Sequence, residues 1–210
     1  MEYLALVACY LLGAIPFGVI VGKVTRGIDI RDFGSGNIGF TNVLRTLGPG
    51  PGLVVFIGDT GKGLVAIELC RRLGMSDYLI VAGGLLSLLG HSFSVFLKFG
   101  GGRAVATSLG VMVGLTPVIA GVAFVLWLAL VGLTRYVSIA SMVATVSVLV
   151  MVFLWKAQHV PIPYQVVAAI ATTLILAKHT SNIKRLINGT EPRIGQRVKI
   201  DDEGGDQDEK

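Results

Sequence analysis

Residues 33–45 read FGSGNIGFTNVLR, a break in an otherwise apolar sequence. Gly34, Gly36 and Gly39 permit backbone angles closed to other residues, so successive N–H groups can converge on one point. Ser35, Asn37, Thr41 and Asn42 add uncharged donors, and Arg45 adds a planar cationic fork suited to phosphate. Alone, such a stretch reads as a flexible surface loop. Here it lies between two membrane-length apolar runs and is followed by two similar stretches, so it reads as an anion-binding loop at a membrane surface.

The second polar stretch spans 91–107, with His91, Lys98, a glycine run ending at Gly101-Gly102, Arg103 and Thr107. The glycines free the backbone, and a small-residue helix is expected to start near Arg103. A helix N-terminus beside a glycine turn favours a phosphate; the plainer reading is a re-entrant turn with a snorkelling arginine. The third stretch spans 178–191. His179, Asn182 and Leu186 fall on one helical face, and Lys178 and Arg185 sit seven apart. Lys184 and Arg185 are also ordinary composition for the inner end of a membrane helix. No metal is expected, because His91, His159 and His179 are widely scattered. There is no G-x-S-x-G nucleophile elbow, and no aspartate closely follows His91. GDTGKG at 58–63 fails as a P-loop: Phe56 stands where the first glycine belongs, and Gly63 replaces the magnesium-binding Ser or Thr. Asp59 and Lys62 lie three apart and can pair, either as a snorkelling pair or at a cost of about 2.5–3.5 kcal/mol for an ionisable residue in mid-membrane.

The elements that must position these residues are membrane helices. Of 210 residues, 53% are hydrophobic and 15% charged, where a soluble domain carries about a quarter charged. Repeated apolar runs near membrane length, without the alternation of barrel strands, give an all-α polytopic integral membrane protein. Expected helices cover 3–22, 53–73, 78–97, 104–115, 117–133, 138–155 and 164–179, with the break at Thr116-Pro117 set by proline. The first is read as retained rather than as a signal peptide, since Glu2 stands where a basic start belongs. Cys9 and Cys70 read as inert buried thiols.

The net charge of +5 is a topology signal and does not indicate nucleic acid. Lys/Arg at 23, 26, 31, 45, 98, 103, 135, 178, 184, 185, 193, 197, 199 and 210 fall in inner loops and tail, fourteen of the eighteen. Those at 71, 72 and 156 fall outside, and Lys62 is within a helix. That bias favours seven transmembrane helices with the N-terminus outside and the C-terminus cytoplasmic. A five-span version, with parts of 104–179 dipping in without crossing, is the alternative. Residues 1–200 form one transmembrane domain, and 201–210 an acidic tail of solvated, disordered composition.

With those residues in view, GSGNIGFTNVLRTLG, GHSFSVFLKFGGGRAVATSLG and KHTSNIKRLINGTE resemble the three signature motifs of bacterial acyl-phosphate:glycerol-3-phosphate acyltransferases. DTGKG at 59–63 and RYVSIAS at 135–141 resemble that family's secondary features. The family's usual Gly-Gly-Lys stands here as Gly101-Gly102-Arg103, which keeps the charge and changes donor geometry. The resemblance implies acyl transfer from a fatty acyl phosphate to the 1-hydroxyl of glycerol 3-phosphate, giving lysophosphatidic acid and phosphate in phospholipid synthesis. It implies a multi-pass protein of the bacterial inner membrane with a cytoplasmic site. The protein is expected to work as a monomer without cofactor or metal, with membrane lipid around it. On this reading Ser35, Asn37, Arg45, Arg103, His179 and Asn182 are catalytic. Gly34, Gly36, Thr41, Asn42, His91, Lys98, Gly101, Gly102, Thr107, Ser138, Lys184, Arg185 and Glu191 bind substrate. The acyl phosphate already carries a good leaving group, so positioning and cationic donors suffice without an enzyme nucleophile. The proton of the attacking hydroxyl goes to a substrate phosphate oxygen in preference to His179. The rival class is a carrier or channel for a phosphorylated metabolite, which predicts two-half symmetry and a polar path to both faces. A non-catalytic scaffold would leave the three polar stretches without a purpose.

Overall fold

The computed structural model describes residues 1–155 and 159–196. Lys156 of the expected outer loop, Arg197, Lys199, Lys210 and the acidic tail lie outside the described residues. The described chain is helical, and its turns fall where proline and glycine dictate. Helix α1 (Glu2–Ala14) stops before Pro16, which has no N–H to continue the ladder. Helix α2 (Phe17–Arg26) leaves at a 42° bend. The single helix expected over 3–22 is thus two. Gly27 closes α2 in the left-handed conformation, with φ 69°. A 3₁₀ turn at Ile30–Asp32 leads into the glycine loop and then α3 (Phe40–Leu47). Gly48, at φ 92°, turns the chain into α4 (Pro49–Arg72), whose first residue is the proline favoured there.

Helix α5 (Asp77–Ser92) ends short of the expected 97. The chain instead makes a tight turn, with a 3₁₀ segment at Val95–Leu97 and Ser94 paired to Gly100. Helices α6 (Val105–Leu115) and α7 (Pro117–Thr134) divide at Thr116-Pro117, as the sequence predicts. They are followed by α8 (Val137–Leu154), α9 (Ile162–Lys178) and, after a 50° bend, α10 (Thr180–Ile187).

Helix α1 packs on α5, and α4 on α6. The second contact is close because Gly63 faces the Thr107 carbonyl and Gly110 faces that of Thr60, leaving no room for a Cβ on either side. Cys9 and Cys70 are free thiols buried face to face, 3.6 Å apart. Helices α7, α8 and α9 pack in sequence, and α6 joins the two groups. The protein is an all-helical integral membrane protein. Among the described residues, α7 and α8 are long and apolar enough to cross a membrane alone, and the bent pairs α1–α2 and α9–α10 bring the number to four. The 24-residue α4 has the length, about 1.5 Å per residue, but carries Asp59, Lys62, Glu68, Arg71 and Arg72.

Candidate active site

One large cavity opens between the two helix groups, with an empty volume of about 1300 Å³ including its mouth. All three polar stretches reach it. From the first come Ser35, Asn37, Thr41, Asn42 and Arg45; from the second, His91 and Arg103; from the third, His179, Asn182, Arg185 and Glu191. Ser138, in the first turn of α8, also lines it.

Each group is held by an identifiable contact. Asn42 is buried and spends its side chain on the loop itself. Its Oδ1 accepts from the Ser35 N–H at 2.9 Å, and its Nδ2 donates to the carbonyls of Ile30 and Phe33 at 3.1 and 3.0 Å. Asn42 therefore shapes the loop that presents Ser35, where direct contact with substrate was expected. Asn37 Oδ1 accepts from the Gly39 N–H at 2.9 Å, fixing the start of α3. Arg45 Nη2 donates to the Pro192 carbonyl at 2.7 Å, while its buried Nε has no partner among the described residues. Burial holds the Arg45 guanidinium below its ordinary pKa, with Glu191 acting in the opposite direction. Burial likewise pushes Arg103 down to about 10, helped by repulsion from Arg185, so it stays cationic at neutral pH. Arg103 stands just before α6, whose first residues also line the cavity. The helix N-terminus thus adds its N–H groups to the same region.

His179 sits at the α9–α10 bend, with Nδ1 2.8 Å from the Ile175 carbonyl. That carbonyl can only accept, so Nδ1 carries the proton and Nε2 keeps its lone pair. Glu191 ties the third stretch together: Asn182 Nδ2 donates to Oε1 at 2.7 Å, and Arg185 Nε to Oε2 at 2.8 Å. Burial would raise the Glu191 carboxyl. The Ser138 hydroxyl beside it, with Asn182 and Arg185, outweighs that and holds it below the usual range.

The far end of the cavity is apolar. Phe56, Leu109, Met112, Phe124, Trp127, Val148 and the small faces of α8 and α9 line a groove. Phe56, Phe124 and Trp127 form a stacked row with centroids 6.1 and 6.0 Å apart. Cationic donors at one end and a greasy channel at the other suit a phosphorylated head group joined to a hydrocarbon chain.

A family model described as glycerol-3-phosphate acyltransferase matches residues 3–189. The chain belongs to the glycerol-3-phosphate acyltransferase family. It is 44% identical over 189 residues to the glycerol-3-phosphate acyltransferase of Parasynechococcus marenigrum (strain WH8102), covering 90% of this chain and 88% of that protein. It is also 44% identical over 197 residues to glycerol-3-phosphate acyltransferase 2 of Moorella thermoacetica, covering 94% of this chain and all of that one. The fold matches the crystal structure of PlsY (YgiH), an integral membrane glycerol 3-phosphate acyltransferase, in its glycerol 3-phosphate form. The TM-score is 0.85 at 39% identity, over 92% of this chain and 96% of that one. The lysophosphatidic acid form of PlsY gives a TM-score of 0.83.

Not every expected site residue of this acyltransferase reaches the cavity. Lys98 is exposed within the tight turn at φ 53°, and Lys184 is exposed on α10; neither lines the cavity. Thr107 is buried, and its carbonyl packs on Gly63 of α4. Gly34 and Gly36 act through turn geometry at φ 60° and 67°. Gly101 and Gly102 act through absence of bulk, since a Cβ on either would collide with His91. Sequence reasoning missed two features, the apolar groove and the pairing of His91 with Asp59, 3.5 Å apart. The Asp59–Lys62 pair does not snorkel; both side chains are buried, at 3% and 1% exposure, with Nζ 2.8 Å from Oδ1.

Proposed function

We propose that this acyltransferase moves a fatty acyl group from an acyl phosphate directly to the 1-hydroxyl of sn-glycerol 3-phosphate, with no acyl-enzyme. The hydroxyl oxygen attacks the carbonyl carbon, the bond from that carbon to the phosphate oxygen breaks, and inorganic phosphate leaves with the electron pair. The hydroxyl proton passes to a substrate phosphate oxygen. The observation that carries this reading is the two-ended cavity. A cluster of half-buried arginines, Arg45, Arg103 and Arg185, opens onto an apolar groove fit for a chain. Because the cavity is polar at one end only, transfer is favoured over transport.

In this reading Ser35 and Asn37 polarise the reacting carbonyl, with Thr41 beside them. Arg45, Arg103 and the α6 N-terminus grip the acyl phosphate. His179, Asn182 and Arg185 orient glycerol 3-phosphate under the control of Glu191, Ser138 adds a donor, and Lys184 guides the anion in. The chain crosses the inner membrane of a bacterium seven times as one domain through about residue 200, N-terminus outside and site cytoplasmic. The short α6 starts at the cavity, below the membrane surface. Each chain holds a full set of these groups, which supports a working monomer.

Purified protein given acyl phosphate and glycerol 3-phosphate will release phosphate only when both are present; release without the acceptor would end the reading. His179→Gln separates the two proton routes. Loss confined to KM is expected, and a collapse of kcat with KM unchanged would make His179 the base.

A further inference from the structure

The DTGKG segment has no part in the reaction as described, yet it carries a buried charge pair in the middle of the protein. Lys62 Nζ lies 2.8 Å from Asp59 Oδ1 and donates to the Ile15 carbonyl at 3.1 Å. Ile15 precedes Pro16 at the break between α1 and α2, and its carbonyl also accepts from the Phe17 N–H at 3.2 Å, so Lys62 adds a second donor at the break. The same Asp59 Oδ1 faces His91 Nδ1 at 3.5 Å, at the outer limit of a hydrogen bond. Stability alone does not account for such a pair, because apolar side chains of similar volume fill the space without desolvating two charges. An ionisable residue at membrane depth is a functional candidate by default.

The geometry beyond His91 supplies the function. The His91 carbonyl accepts from the Gly102 N–H at 3.0 Å. The His91 ring lies directly against Gly102, where no Cβ fits. The next residue is Arg103, followed by Ala104 in the left-handed conformation at φ 59° and then α6. One residue on, the Ser92 carbonyl accepts from Lys178 Nζ at 2.9 Å, just before His179. The His91–Ser92 corner therefore sets where the Arg103 turn lies, and the end of α9 is tied to the same corner.

We propose that Asp59 is a positioning residue for acyl transfer. Held by Lys62, it fixes the His91 ring against Gly102 and so sets where Arg103 and the α6 N-terminus meet the acyl phosphate. The proposal rests on the phosphate grip assigned to Arg103 above. The chain Ile15–Lys62–Asp59–His91–Gly102 links the α1–α2 break to the phosphate end of the cavity through named contacts. Misplacement of a reacting group by about 1 Å can cost a hundredfold in rate, so a small drift of this turn is enough to matter.

The test is the double variant Asp59→Asn with Lys62→Met in the full-length protein. Removing both charges avoids stranding one. The double variant is expected to insert and melt like the parent. Its KM for acyl phosphate should rise about tenfold while its KM for glycerol 3-phosphate stays put, a smaller loss than full misplacement brings. A merely structural pair would leave both constants at parental values once the charges are gone, and that result overturns the proposal. So does an equal rise in both constants. His91→Gln gives a second reading should the double variant fail to fold. It is expected to show the same selective rise, and where the double variant folds it should add nothing when combined with it; a parental KM for acyl phosphate in H91Q also overturns the proposal. If the parent itself releases no phosphate with both substrates present, the acyl-transfer reading fails instead, and the two failures are told apart by that control.

Discussion

The two ends of the cavity are built in different ways. The polar end is assembled from loops and helix ends that lie far apart in sequence, and its members hold one another. Asn42 shapes the Ser35 loop, Glu191 holds Asn182 and Arg185, and Arg45 rests on the Pro192 carbonyl. The apolar end is made from the middles of α6 to α9 with Phe56 of α4 and held by packing, with one aromatic row and a hydrogen bond from Trp127 Nε1 to Ser141 Oγ at 3.1 Å. Fixed charges in a water-poor site act only at the right distance, whereas a greasy channel tolerates small changes in shape. The polar end should therefore fail abruptly, and the apolar end by degrees.

The sharpest way to break this contrast is Arg103→Ala. Losing one preorganised cationic donor is expected to lower kcat/KM for acyl phosphate by about 10²–10³ with insertion intact. Arg103→Lys should recover most of that loss, because charge returns while the fork does not. A drop of only a few-fold in the alanine variant would mean the arginine is outside the reaction. Gly101→Ala comes next, since its Cβ would meet the backbone of His91 and Ser92, which cannot yield. Overpacking there costs about 1–3 kcal/mol and should also shift the turn that carries Arg103. Gly100→Ala is the control one residue away: its Cβ would meet the Leu97 carbonyl at 3.1 Å, near the edge of normal contact. Phosphate-release kinetics on the two variants, with melting temperatures, should separate them clearly.

The same difference explains what was legible in the sequence. Polar residues inside a membrane protein are expensive, so each breaks the apolar pattern visibly, and residues 33–45, 91–107 and 178–191 stood out on that ground. That they line one cavity depends on helix order, which charge placement suggested. The groove left no such mark. Ala144, Val148 and Met112 look alike in sequence whether they face lipid, a neighbouring helix or a channel, since all three surroundings are apolar. The Asp59–His91 pairing was hidden for another reason. Asp59 has a partner three residues away in its own helix, and nothing in spacing announces a second one arriving from α5. Thr107 misled because a hydroxyl near a glycine turn looks like a donor, while in α6 it falls on the side packed against Gly63. Lys98 misled because the helix expected to run to 97 ends at Ser92, and the tight turn that follows carries the lysine away.

In the apolar end, Ala144→Leu should shorten the groove and leave the chemistry alone. Each methylene denied burial costs about 0.8 kcal/mol, so the longest acyl phosphates should lose tenfold or more in kcat/KM while short ones are unaffected. Uniform loss across chain lengths would show that Ala144 does not face the chain. The smallest expected effect belongs to Trp127→Phe. The substitution keeps an aromatic ring to stack on Phe124, where the two planes lie 8° apart, and removes only the N–H that reaches Ser141. A hydrogen bond of this kind contributes about 0.5–1.5 kcal/mol, so KM for long-chain acyl phosphate should shift by no more than about tenfold and kcat should hold. Ser141 keeps its hydroxyl and can turn it toward its own helix, so no buried group is stranded. If Trp127→Phe instead cost as much as Arg103→Ala, the row would be an integral part of the reacting geometry, and the two ends of the cavity would not be the separate devices described above.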